Sequence, residues 1–287
     1  MARRRKSSGL IDEGLEQVAA VLSEVPANAE IPDRRLALMF ACTHPAIDVS
    51  VRAPLMIQAV LGLDAKTISS AFLMSPSAMA KRLVRAKDKI RQAHIPLSIP
   101  ERNQLRGRLE AVLDAIYAAF TEGWAYPDAR DVIRRDLTEE ALFLARLLTE
   151  LLPNQPEALG LLGLMLHAEA RRRARRNAKG EYVPLGGQDP ALWDQAMIEE
   201  AERPILRMSA LGSIGRYQLD AALQSPHVCR RRTGKNNWED ILHLYDHSVR
   251  NRQLARGRNQ PSVGGRRGAR RCRWPGCARG SHRQKNY

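Results

Sequence analysis

The chain has 287 residues, 44% of them hydrophobic, 5% aromatic and 27% charged, with a net charge of +15. That length can bury one large core or two smaller ones, and the dominance of Ala, Leu and Arg favours helices over sheet. No apolar run reaches the ~20 residues that span a bilayer, MARRRKSSG lacks the apolar stretch of a secretory signal, and the four cysteines are too scattered for a disulfide framework, so a cytoplasmic location is expected.

The positive charge is local. Residues 250–287 hold twelve Lys or Arg and residues 3–6 hold four, in both cases without an acid, so residues 7–249 carry −1. Where the cations sit is therefore the useful clue.

Along the chain, residues 10–25, LIDEGLEQVAAVLSEV, have the spacing of a short amphipathic helix within an N-terminal linker segment, 1–30. DRRLALMFACTH begins the next helix, with Asp33 as N-cap and Pro45 as its end. Helices follow over 48–61, 65–72 and 76–93, closing a unit over 31–94. The two prolines of IPLSIP make 95–101 a linker. Beyond it, helical apolar spacing predicts helices over 102–120, 131–152, 156–177, 190–210, 214–223 and 236–249. Short breakers separate them, which suggests stacked helical hairpins over 102–249 without an exact repeat. From residue 250 the chain is Arg- and Gly-rich, loses its apolar period and reads as a disordered basic tail. The expected fold class is all-α.

The richest stretch is LDAKTISSAFLMSPSAMAKRLVRAKDKIR, residues 63–91. Leu63, Ile68, Ala71 and Phe72 mark the apolar face of a short helix, and Leu73 and Met74 a tight turn. Ser75 can cap the next helix, with Pro76 at its first position, where a missing N–H costs nothing. Met79, Leu83, Ala86 and Ile90 then form an inward stripe. A helix-turn-helix needs this order: a short helix across the DNA backbone and a second in the major groove. Small Ser77 and Ala78 would allow close approach, Lys81 and Arg82 would donate to guanine or phosphate, and Arg85 and Lys87 would extend the phosphate contact.

The same residues resemble region four of bacterial RNA polymerase sigma factors. TISSAF stands for the family's first helix and MAKRLVRAKDKIR for its second, with the Arg-Leu, Arg-Ala and Lys-Ile pairs in register. Leu73 stands where the pattern usually has Gly. PDRRLALMFACTHPAI, VLDAIYAAFTEGW, RLLTELLPNQPEALGLLGLMLHAEARR, QDPALWD, GRYQLDAAL and NWEDILHLYD are similar to extracytoplasmic-function sigma factors with a long TPR-like C-terminal extension. The resemblance covers roughly 31–249 and implies a helix-turn-helix followed by a TPR-like domain. It implies promoter DNA at the −35 element and the β flap of core RNA polymerase as partners, with DNA contact at Ser77, Lys81, Arg82 and Arg85. Members often carry an acidic Asp-Gly-Asp element where this chain has Lys179, Gly180 and Glu181. The residues ahead of the unit correspond to an inter-region linker, so region two is missing from the chain as read. After LYD, relatives continue with a helical sequence that a one-base shift can bring out of residues 254–271, so the tail reads as out of frame.

Other candidates carry bland readings. Cys272, Cys277 and His282 lack a clear fourth ligand for zinc. Cys42 and His44 suit packing and capping, and the arginines of 171–176 suit the solvated C-terminal end of a helix, with nucleic-acid binding as the alternative reading. Trp193 and Trp238 read as packing anchors. There is no Gly-rich phosphate loop, no triad-like set and no paired carboxylates, so no enzyme, cofactor, metal or small-molecule substrate is expected. Two other readings stand beside the sigma factor: a helical scaffold for protein partners, and a truncated sigma factor without function.

Overall fold

The computed structural model describes residues 31, 33–95, 98–125, 132–211, 215–234 and 246. The expected helix over 10–25, all but residue 246 of the one over 236–249, Trp238, the basic tail and its Cys and His residues lie outside them. The described residues are all-α, with no strand and one isolated bridge between Arg176 and Tyr182. None of their helices is long and apolar enough to cross a membrane. The chain divides into two compact units, the first ending at Pro153 and the second starting at Asn154.

Unit one holds α1 (Arg34–Ala41), α2 (Val49–Leu61), α3 (Ala65–Ala71), α4 (Pro76–Gln92), α5 (Arg102–Ala125) and α6 (Val132–Leu151). The first four each start on a side chain that accepts from a free N-terminal N–H: Asp33, Asp48, Asp64 and Ser75. The sequence sets a boundary at 95–101, but unit one continues past it, because α5 packs on α1, α2 and α3. One polar tie fixes this arrangement: Ser70 on α3 donates to the buried Glu122 carboxylate on α5 at 2.7 Å. At the other end Arg35 pairs with Asp33 at 3.0 Å and Glu140 of α6 at 2.5 Å, with its guanidinium 4.9 Å from the centre of the Phe143 ring. Asp33 is held below the usual carboxylate range by Arg35 and two backbone N–H groups, against the opposing pull of burial. Phe40, Met39, Met56, Ile57, Leu105 and Ile116 are among the buried residues of the core.

Unit two holds α7 (Pro156–Ala170), α8 (Gln195–Ser209) and α9 (Arg216–Thr233), with short 3-10 turns between α7 and α8. Nearly every residue of α7 from Ala158 to Ala168 is buried, as expected of a helix apolar on all sides. It packs on both α8 and α9. Gly160 and Gly163 make that possible. A Cβ at Gly160 would stand 2.6 Å from the Gln218 backbone nitrogen of α9, and one at Gly163 would stand 2.9 Å from Ile205 of α8. Trp193 packs with Ala170, Ala174, Ile198 and Val228, so it is the anchor its sequence suggests.

Four helix limits differ from expectation, the first being the helix expected over 102–120, which runs on to Ala125. The helix expected over 156–177 ends at Ala170, and Arg172–Arg175 form a separate 3-10 turn. The helix expected from residue 190 starts at Gln195, after Asp194 caps it. The helix expected over 214–223 runs on through Pro226 to Thr233. Cys42 is a buried free thiol capping α1, pushed up to about 12 by burial, and His44 Nδ1 accepts from the Ala46 N–H at 3.2 Å.

Candidate nucleic-acid interface

The turn between α3 and α4 is set by two backbone bonds. Met74 N–H reaches the Ser69 carbonyl at 3.0 Å and Leu73 N–H reaches the Ser70 carbonyl at 3.3 Å. This is the Schellman pattern, which puts the residue after the helix cap in the left-handed region. That residue is Leu73, with φ +51° and its side chain 96% exposed. The position favours glycine because a Cβ there crowds the next carbonyl. The departure noticed in sequence therefore falls on the one strained residue of the turn.

Helix α4 begins at once after it. Ser75 Oγ accepts from the Ala78 N–H at 3.3 Å, and Pro76 takes the first position. Met79, Leu83 and Ile90 are buried, and Ala86 is half-buried beside them, as the stripe predicts. The helix ends in a second Schellman pattern: Ile95 N–H to the Ile90 carbonyl at 3.0 Å, His94 N–H to Arg91 at 3.3 Å, and His94 at φ +47°.

Of the expected contact residues, Ser77, Lys81, Arg82 and Arg85 are exposed together on the outer surface of α4. Ala78 is half-buried. Lys87 is half-buried too, and burial lowers its pKa. It lies four residues after Leu83 and three before Ile90, which turns it toward the inward stripe. It stands apart from the other five. Arg82 also reaches back to the Met74 sulfur at 3.6 Å, which ties the basic face to the turn.

One further feature of the site is legible in the sequence, where the inward stripe leaves Lys89 on the outer surface, and one escapes it. Lys89 joins Arg82 and Arg85 in lining a groove of about 380 Å³ floored by Ile47, Val51 and Ile90. Its place four residues after Arg85 is a legible signal. Asp48 is not legible in the same way, since it comes from the start of α2. Its carboxylate is held low first by Ser50 and further by the charges of Arg82 and Lys89. It therefore offsets part of the positive field on that flank, around Arg82 and Lys89.

The chain is similar to known proteins in two respects. Residues 108–209 match a family of unknown function, DUF6596. Over 217 residues the chain is 37% identical to an uncharacterized protein, R00370, of Rhizobium meliloti (strain 1021), covering 76% of this chain and 51% of that protein. The chain thus spans about half the length of the curated relative it matches. No solved structure matches it.

Proposed function

We propose that the chain acts in transcription initiation as a sigma factor of the extracytoplasmic-function type. In this reading α3 and α4 are a helix-turn-helix, α4 enters the major groove of the −35 element, and unit one also binds the β flap of core RNA polymerase. The observation that supports it most is one surface: Ser77, Lys81, Arg82 and Arg85 exposed together on a capped helix whose other face is buried. Small side chains near the helix start permit approach to base edges, and the cations that follow meet guanine or phosphate. The helices beyond 102, read as TPR-like, would tune this contact and carry no chemistry. Promoter melting would rest on a region-two function not assigned to any described residue.

The test is selection from a pool of randomised duplexes with the full chain. The reading expects enrichment of one short motif, lost in the Lys81→Ala/Arg82→Ala variant. A pool that stays random after repeated rounds would overturn it.

A further inference from the structure

The arginines after α7 are not a helix end. α7 stops at Ala170, Arg172–Arg175 make a 3-10 turn, and Arg176 forms an antiparallel bridge with Tyr182. The segment is pinned by its backbone. Val183 N–H reaches the Arg175 carbonyl at 2.7 Å, Asn177 N–H reaches Glu181 at 3.0 Å, and Gly180 N–H reaches Asn177 at 2.9 Å. Asn177 Oδ1 accepts from the N–H of Lys179 and of Glu181, both at 3.0 Å. Arg176 donates to the Gly180 carbonyl at 2.5 Å, closing the small loop.

This rigid piece gathers like charges. Residues 171–179 contain six Lys or Arg and no acid. Arg171 is buried and donates to the His167 carbonyl at 2.9 Å and to Gln224 at 2.6 Å. Burial, helped by the nearby Arg175 charge, lowers its pKa to about 10. Burial also lowers Arg175, and the charges of Arg172 and Arg176 add to that. In a 3-10 turn residues three apart are eclipsed, which stacks Arg172 on Arg175. Glu169 offsets Arg172 at 2.6 Å. Arg173 and Lys179 are exposed and have no ion-pair partner among the described residues. Beside them Tyr182 is 62% exposed, with the Arg175 guanidinium 5.9 Å from its ring centre.

We propose that this turn binds single-stranded nucleic acid, with Arg173, Arg176 and Lys179 meeting phosphates and Tyr182 stacking on a base. Guanidinium groups match phosphate geometry, and an open aromatic ring beside a track of cations accepts any unpaired base. A duplex keeps its bases stacked and has none to offer. An anionic membrane would ask for apolar side chains to enter the lipid, and between Arg171 and Gln188 Tyr182 is the sole large exposed one among the described residues. The assignment does not depend on α4.

The full chain is titrated against fluorescent oligothymidylate of about twelve nucleotides, a span within the usual site sizes, at several salt concentrations. Tyr182→Ala is expected to weaken binding roughly tenfold while Tyr182→Phe keeps it, as stacking requires. Arg173→Ala/Lys179→Ala is expected to lower the slope of log affinity against log salt by about 1.4, or ~0.7 per phosphate lost. Wild-type binding by both the Tyr182→Ala and the Arg173→Ala/Lys179→Ala variants overturns the proposal. So does binding to phosphatidylserine vesicles in place of the oligonucleotide.

Discussion

In unit one the first four helices start on neighbours in sequence: Asp33, Asp48, Asp64 and Ser75 each accept from an N–H within the next three residues. In unit two α9 starts on a residue of another helix. Glu157 of α7 accepts from the N–H of Tyr217 at 3.2 Å and of Gln218 at 3.1 Å. Gly160, one turn further along α7, lets the same two residues come close enough. Both schemes satisfy the free donors at a helix start. The first is written in a few consecutive residues; the second exists only once α7 and α9 have met. Local caps can fail one at a time, whereas the contact of α7 with α9 concentrates several dependencies on two residues.

The largest expected effect follows from that concentration. Gly160→Ala should destabilise unit two by about 2 kcal/mol or more, because the new Cβ meets backbone of α9, not a side chain that can turn away. Gly107→Ala is the matching control in α5. Nothing lies within 4 Å of a Cβ there, so the better helix propensity should stabilise by ~0.5–1 kcal/mol. Thermal unfolding of the full-length variants gives both signs, and equal signs would break the comparison.

Glu157→Ala should come next, at about 1–2 kcal/mol, since it frees the N–H groups of Arg216, Tyr217 and Gln218 at once. Ser75→Ala should cost about 1 kcal/mol, the ordinary value for one local cap. Hydrogen exchange can tell them apart. The first should speed exchange at the start of α9, the second at the start of α4 alone.

The smallest effect is expected at the turn before α4. Leu73→Gly removes a left-handed strain of ~1–2 kcal/mol and adds ~0.5–1 kcal/mol of chain entropy, for a net gain of ~0–1.5 kcal/mol with a midpoint below that of a lost cap. A loss of stability there would mean that the Leu73 side chain does something its exposure hides.

The same contrast explains what could be read in advance. Met79, Leu83 and Ile90 announce α4 and its buried face because periodicity is a local property, and Ser75 with Pro76 marks its start. Lys87 shows the limit of counting charge without angle: it is a cation of the same helix as Arg85, yet it is half-buried where Arg85 is exposed. Asp48 enters the basic face from α2, and no spacing within α4 could announce it. The arginine run is the least legible part of unit two. Apolar spacing carries a helix through Ala174, whereas the Ala170 carbonyl is taken at 2.8 Å by the N–H of Asp194, a residue far along the chain that no local spacing announces.

The central claim is that α4 meets DNA phosphate and bases through Lys81 and Arg82. It is tested most directly by measuring duplex affinity of the full chain and of Lys81→Ala/Arg82→Ala across a range of salt concentrations, using a duplex enriched by the wild-type protein. The account predicts a loss of about thirtyfold or more, and a salt slope lower by up to about 1.8, at ~0.9 per phosphate contact. The same affinity and the same slope in both proteins would contradict it.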